Sequence, residues 1–426
     1  MAEKYSIFAT YIYYDDKIIK DKYLNVEDGK IIGISKIPKN DFTIIKREGS
    51  AIFPGFINTH THLPMVLFRG LADDLPLTKW LNNYIWPAES KWLSKEFIKD
   101  ATTLGACELI RSGTTTVNDM YFFSETIAGV LEESGLRGIL GVSVLDLPTK
   151  FADNADSYLN TVESLIEKIA KSPSLNVAIC PHSLYTVSPK TFKRCISLAE
   201  KFDLLLHTHI AETKWEINEL EKRYGKTPVE LANELGFFDK KSISAHCVHL
   251  TKKDIELMGK KNANISHCIE SNLKLASGIA PIKELLDAGA NITIGTDGAA
   301  SNNDLDMLTE ISTVAKIHKG INLDPTIVSA KEVFNMSTKN AARALSLDNT
   351  GILKEGKSAD FFILSLKAPH ANPIYNILSH LVYSAKSSDI TDLFVNGRPL
   401  MLNGSIKTID ETKAIEKAKE WSRKIS

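Results

Sequence analysis

His60 and His62, in the segment AIFPGFINTHTHLPM, are the residues whose types and spacing most directly suggest chemistry. In an extended strand, side chains two residues apart point the same way, so both imidazoles would enter one space. A first-row divalent metal takes neutral imidazole and carboxylate ligands, and a hydrolytic site keeps one position open for water. The pair is therefore half of a metal site, or two polar residues on a strand's solvent face. The rest of the chain must supply the missing ligands.

Short apolar or β-branched runs alternate with longer helical stretches. The runs predict strands over Ile52–Asn58, Thr114–Met120, Gly138–Val144, Asn176–Pro181, Leu204–Ile210, Lys241–Ala245, Ala263–His267 and Asn291–Thr296. Between them lie helix signals, such as KDIELMGK with Thr251 as N-cap and Asp254 three residues on. DLDMLTEISTVAKIHKG likewise spaces Leu305, Leu308 and Ile311 along one face. Alternating strands and helices imply parallel strands, and eight units imply an α/β fold, a (β/α)8 barrel of the TIM type. Residues 1–57 and 351–426 instead read as short strands and turns, including the tight-turn pair Asn396-Gly397. Neither end can bury a core alone, so the two are expected to form one small β-sandwich flanking a hydrolase barrel over 58–350.

Catalytic groups of a parallel barrel gather at the C-terminal ends of its strands. In order, those ends carry His60 and His62, then His182, His207 and His209, His246, His267 and Asp297. His60, His62, His209 and Asp297 would supply three nitrogens and one oxygen. A dinuclear centre would normally need a bridging group, often a carbamylated lysine after strand 4. Here that position reads ICPHSLYT, with His182 and no lysine, which favours one metal. His207, His249 and His267 are equally readable as satisfied core histidines, and His318, His370 and His380 as surface or structural ones.

The bulk properties exclude other classes. The net charge of −1 gives no footprint for nucleic acid or an anionic membrane. No apolar run approaches the roughly 18 residues that span a bilayer, and acidic residues interrupt the N-terminal apolar stretch where a signal peptide would lie. Five scattered cysteines, without Cys-x-x-Cys spacing, suggest reduced thiols and a cytoplasmic location.

The phrases PGFINTHTH, HTHIAET, SAHCVH, HCIESNLKLASGIAP and IGTDGAASNNDLDM together resemble the amidohydrolase superfamily, closest within it to the 5-methylthioadenosine/S-adenosylhomocysteine deaminases. The resemblance runs through the chain to GILKEGKSADF. It implies a hydrolase acting on the C–N bond of a cyclic amidine: an adenine nucleoside is converted to its inosine analogue plus ammonia. One divalent metal, Zn²⁺ first and Fe²⁺ or Mn²⁺ also compatible, would lower the pKa of water from about 16 to about 7. Asp297 would be both ligand and base, and His246 would orient the attacking hydroxide. Glu212, three residues after His209, would protonate ring nitrogen N1, as a non-ligating glutamate does in other zinc deaminases. Its other reading is a carboxylate capping a helix start. Glu89 in LNNYIWPAESKW matches the glutamate that binds both ribose hydroxyls, and His182 the histidine that contacts the nucleoside. Trp80 and Trp86 would wall the adenine or the 5′ substituent, or belong to the core.

Two departures narrow the substrate. Relatives that accept S-adenosylhomocysteine carry arginines around and after strand 3, but SVLDLPTKFADNADSYLN has only Lys150, and Arg137 precedes the strand. A carboxylate without a charged partner costs binding energy, which favours 5′-methylthioadenosine, 5′-deoxyadenosine or adenosine. HCIES has Ile269 where the family usually has proline, a matter of backbone stiffness. The competing readings are guanine deamination or triazine hydrolysis on the same scaffold, or a non-catalytic relative. The partner expected is a small nucleoside. A homo-oligomer is compatible with the sequence.

Overall fold

The computed structural model describes residues 4–425. The chain opens with β1 (Lys4–Tyr14), β2 (Lys17–Glu27), β3 (Lys30–Ser35) and β4 (Thr43–Pro54). Next come β5 (Phe56–Thr61), β6 (Thr114–Tyr121), β7 (Arg137–Val144), β8 (Leu175–Pro181), β9 (Leu205–Ile210), β10 (Ser242–His246), β11 (Asn264–His267) and β12 (Asn291–Ile294). The last four strands are β13 (Phe361–Ser365), β14 (Ile390–Val395), β15 (Arg398–Leu402) and β16 (Ser405–Ile406).

β5 to β12 lie side by side in sequence order, every pair parallel. Intervening helices such as Lys95–Arg111, Ser124–Ser134, Pro189–Phe202 and Lys252–Lys260 cover the outside. Strands buried on both faces explain the unbroken apolar and threonine-rich runs. The ring closes between β12 and β5 largely through side chains. Asn58 donates to Thr296 Oγ1 at 2.7 Å and accepts from its N–H at 3.1 Å, and Asp297 N–H donates to His60 O at 3.0 Å. Gly295 permits this seam, because a Cβ there would sit 2.7 Å from His60 N.

The other strands form one mixed sheet, ordered β16-β15-β14-β13-β4-β1-β2-β3, in which the chain's two ends meet as β4 pairs antiparallel with β13. Its inner face has a core of its own, including Ile12, Leu24, Val26, Phe361 and Phe394. The Asn396-Gly397 turn joins β14 to β15, with both residues at positive φ. Phe53, Phe56, Phe334 and Phe362 join the sheet to the barrel, with Phe56 and Phe362 centroids 4.8 Å apart. Arg137 is consumed there too, donating to Asp360 at 3.0 Å and Asn396 at 2.6 Å, away from the barrel mouth.

Two expectations need correction. The predicted strand Ile52–Asn58 is two strands, divided at Pro54-Gly55. Thr115 crosses so close that a Cβ on residue 55 would overlap its side chain at 2.2 Å. The chain beyond 351 is also not only strands and turns, for Ile377–Tyr383 and Glu411–Ile425 are helical. The last helix lies on the barrel helix Lys95–Arg111: Trp421 packs edge-on to Phe97 at 5.1 Å and donates to Asp100 at 2.9 Å. Its sequence, ETKAIEKAKEWSRKI, is too charged for a strand but buries Ala414 and Trp421, seven residues and two turns apart.

Candidate active site

The C-terminal ends of β5, β9, β10 and the segment after β12 converge at the barrel mouth. His60 Nε2 and His62 Nε2 lie 3.4 and 3.3 Å from Asp297 Oδ1, and His62 Nε2 lies 3.3 Å from His209 Nε2. His60, His62 and Asp297 form one cluster with ligand atoms within 4.8 Å of one another, and His60, His209 and His246 a second. Each ring is held from behind. His62 Nδ1 faces Met120 O at 2.6 Å, His209 Nδ1 faces His182 O at 2.7 Å, and His60 Nδ1 faces His207 Nε2 at 2.9 Å.

That backing tests whether the residues fit a metal. A carbonyl can only accept, so in their neutral, metal-binding form His62 and His209 carry their protons on Nδ1 and turn bare lone pairs inward. Two lone pairs 3.3 Å apart beside a carboxylate oxygen repel, and a cation between them removes the conflict. His60 Nε2 is fully buried without a hydrogen-bond partner. Burial lowers the His60 pKa to about 4 and holds His209 well below the usual histidine range, keeping both rings neutral. The donor set fits a divalent ion.

Asp297 occupies the left-handed region at φ 63°, and Ala211, His246 and Cys247 at neighbouring strand ends do the same. Such strain concentrates where a site is over-determined by its surroundings. Asp297 Oδ2 accepts from Ser271 at 2.6 Å and Ser301 at 2.9 Å, and Oδ1 from Gly298 N–H at 2.7 Å. Burial opposes its ionisation, but the surrounding imidazoles of His60, His62 and His246 outweigh it and hold the pKa well below the carboxylate range. Glu212 behaves oppositely. It is 8% exposed, and burial raises its pKa although His246 Nε2 stands 3.9 Å from Oε2. Burial also works to lower the His246 pKa, yet Glu212 and Asp297 leave it raised; its Nδ1 donates to Asn272 Oδ1 at 2.8 Å.

A cavity of about 560 Å³ opens over these groups and is lined by His62, His209, Glu212, His246 and Asp297. Glu89, His182, Trp80, Trp86 and Lys150 also line it. The helical segment over residues 77–92 crosses the mouth with a π-helical turn at Leu81–Ile85, a distortion frequent at functional sites. Glu89 hangs from it and accepts from Tyr121 OH at 2.5 Å; burial lifts its pKa to about 7.

His207 lies behind His60, outside the cavity lining. His267 pairs with His318 at 3.0 Å, and both are buried, so His318 is structural. His249 donates to Ser277 O, and His370 pairs with Asp389 at 2.7 Å. Sequence reading missed Tyr121, which seats Glu89. It also missed Asp119, which accepts from Leu63 N–H at 2.5 Å and fixes the chain just past His62. Glu216 was missed as well. Asp119 stands near a predicted strand end, where the polar pair Asn118-Asp119 was the available signal.

Residues 51–400 match the model of the amidohydrolase family. The chain is 45% identical over 418 residues to a 5-methylthioadenosine/S-adenosylhomocysteine deaminase of Thermodesulfovibrio yellowstonii, covering 96% of this chain and 95% of that protein. It is 44% identical over 419 residues to a 5′-deoxyadenosine deaminase of Methanocaldococcus jannaschii, covering 95% and 98%. Among solved structures, an adenosine deaminase from Xanthomonas campestris with bound zinc superposes with a TM-score of 0.95 at 35% identity, over 99% of this chain and 98% of that one. With motifs, barrel and relatives in agreement over nearly the whole length, the chain belongs to the amidohydrolase family.

Proposed function

We propose that this protein hydrolytically deaminates an adenine nucleoside, 5′-methylthioadenosine first, to the inosine analogue and ammonia. The observation that carries the reading is the pair of carboxyl groups in one cavity whose pKa values are driven apart, Asp297 down and Glu212 up. Opposite shifts assign base and acid. A deaminase needs both: a base to take the proton of attacking water, and an acid to protonate the ring nitrogen as C6 becomes tetrahedral.

His60, His62, His209 and Asp297 are the residues that would hold one divalent ion, zinc by preference, with Fe²⁺ and Mn²⁺ suited to the same donors. Such an ion supplies hydroxide at neutral pH. Asp297, held ionised, accepts the water proton. Glu212, whose pKa burial raises, delivers a proton to N1. His246 stands beside Glu212 and orients the nucleophile. The amine then leaves as ammonia with the proton taken up by Asp297, while the C6 hydroxyl returns a proton to Glu212 as the carbonyl forms. Glu89 accepts the ribose hydroxyls, and His182 contacts the nucleoside.

Beyond Glu89 the wall is apolar, with Leu77, Leu81, Trp86, Leu145 and Leu147; Lys150 is the one lysine or arginine among the described lining residues. This supports a methylthio or hydrogen 5′ substituent over one ending in an amino acid, whereas the relatives' names span methylthioadenosine, S-adenosylhomocysteine and 5′-deoxyadenosine. 5′-Deoxyadenosine and adenosine follow methylthioadenosine, and S-adenosylhomocysteine ranks below them. Five buried free thiols support a reducing, cytoplasmic setting. No helix among the described residues is long and apolar enough to cross a membrane.

The test is ammonia release and loss of adenine absorbance by the metal-loaded protein on methylthioadenosine. Glu212→Gln should lose activity by about 10²–10⁴-fold with metal content retained. Inactivity of the wild type on every adenine nucleoside, or undiminished turnover by the variant, sinks the reading.

A further inference from the structure

Glu216 has no counterpart in the reaction just described, yet it is 1% exposed and lies one helical turn from Glu212. It occupies the third position of the helix Lys214–Tyr224, whose N-cap Thr213 accepts from Glu216 N–H. An acidic residue there ordinarily reaches back to the backbone N–H of the N-cap. Three other α-helices among the described residues do so, through Thr227 and Glu230, Thr251 and Asp254, and Ser329 and Glu332. Glu216 reaches further. Its Oε2 accepts from Glu212 N–H at 2.8 Å and its Oε1 from Ala211 N–H at 3.1 Å.

Those two N–H groups belong to the turn that aims Glu212. Ala211 sits at φ 54°, a conformation an alanine holds only under constraint. Its carbonyl accepts from Val248 N–H at 3.0 Å and His249 N–H at 2.9 Å, just past the positive-φ residues His246 and Cys247. One peptide is thus gripped from both sides, by Glu216 and by the loop that carries His246. The grip leaves Glu212 Oε2 3.9 Å from His246 Nε2. Burial pushes the Glu216 carboxyl up to about 7 against the pull of the two N–H donors, so the chain keeps a costly buried acid at this place.

We propose that Glu216 is a positioning residue for Glu212: its carboxylate clamps the Ala211–Glu212 turn and so fixes the direction in which the Glu212 carboxyl enters the cavity. The inference rests on the reading of Glu212 as proton donor. Displacement of such a group by about 1 Å costs on the order of a hundredfold in rate.

Glu216→Gln keeps the side-chain size but presents an amide N–H to a backbone N–H, breaking one arm of the clamp. The metal-loaded variant is expected to lose about 10- to 100-fold in kcat on methylthioadenosine, with KM within about threefold and bound metal unchanged. In a Glu212→Gln background the same change should alter kcat by less than about twofold, since a residue acting through Glu212 has nothing left to position. Glu216→Asp serves as a second variant should the glutamine form fold poorly. Asp254 shows that an aspartate at this helical position caps its helix, accepting from Thr251 N–H at 2.8 Å. An aspartate is too short to reach Ala211, so the same fall in kcat is expected. Unchanged kcat in a folded variant, or full multiplication of the two losses in the double variant, overturns the proposal. Full activity of Glu212→Gln alone overturns the donor reading, and this inference with it.

Discussion

The Nε2 atoms of His62 and His209 face each other at 3.3 Å while both Nδ1 atoms are committed to main-chain carbonyls. Without a cation, this is a repulsive contact built into the barrel mouth. Chelation should therefore lower thermal stability as well as abolish activity, and stoichiometric Zn²⁺ should restore both. The expected stabilisation is about 2.7 kcal/mol when free metal is a hundred times its Kd. A melting temperature indifferent to chelator, measured by calorimetry alongside metal analysis, would contradict the arrangement.

Glu89 must be ionised to accept two ribose hydroxyls, and its pKa is lifted to about 7 by burial. Its charged form is thus absent well below neutrality and appears as pH rises through about 7. KM for methylthioadenosine is expected to fall over that interval and then level. In Glu89→Gln, KM should be raised about 10- to 100-fold and lose that dependence. Steady-state kinetics from pH 5.5 to 8.5 provide the comparison; a KM that ignores pH in the wild type counts against Glu89 as the hydroxyl acceptor.

Linkage gives Glu89 and Glu216 a second signature. Both have folded-state pKa values of about 7, above the ordinary 4.5. The native state therefore binds more protons than the unfolded chain between those values, and stability falls as pH rises from about 4.5 to 7. Asp297 acts in the opposite sense: its contribution is present above its unfolded pKa and lost on acidification through its depressed native one. The acidic slope of denaturant midpoint against pH should flatten in the metal-free Glu216→Gln variant. An identical slope removes Glu216 from this account.

Lys150 is a single compact charge, not the planar pair of donors a carboxylate binds best. Methylthioadenosine should exceed S-adenosylhomocysteine in kcat/KM by about tenfold or more. Lys150→Met should depress only the latter. Equal use of both substrates, in parallel assays of ammonia release, would reverse the assignment of the 5′ pocket.

Gly295→Ala places a methyl 2.7 Å from His60 N and His60 Cβ at the seam. A loss of about 1–3 kcal/mol in stability is expected, accompanied by weaker metal retention because His60 moves. Equilibrium unfolding and metal competition check the two effects separately.

The cluster of His60, His62, His209 and Asp297 was legible because parallel strands bring their ends together, so a list of strand ends was already a list of neighbours. Alternation of strand and helix sufficed for the barrel. What escaped was of two kinds. The split of Ile52–Asn58 was signalled by Pro54-Gly55, a break masked by the apolar residues on either side of it. Glu216 and Tyr121 gave no such signal, since a glutamate in a helix's first turn and a tyrosine at a strand end are ordinary there. Only the direction of each side chain distinguishes them, and direction is a property of the packed structure. His318 stayed between a surface and a structural reading for a related reason: its partner His267 is 51 residues away.

His60 leaves the first barrel strand and Asp297 follows the last, so the two sit together only when everything between them has been made and wound into a ring. A ribosome that has released the chain only as far as β11 presents three histidines and no carboxylate. Coordination of an ion by the proposed ligands would therefore report on completeness: a truncated or half-wound barrel offers an imperfect socket, and the finished one a full set.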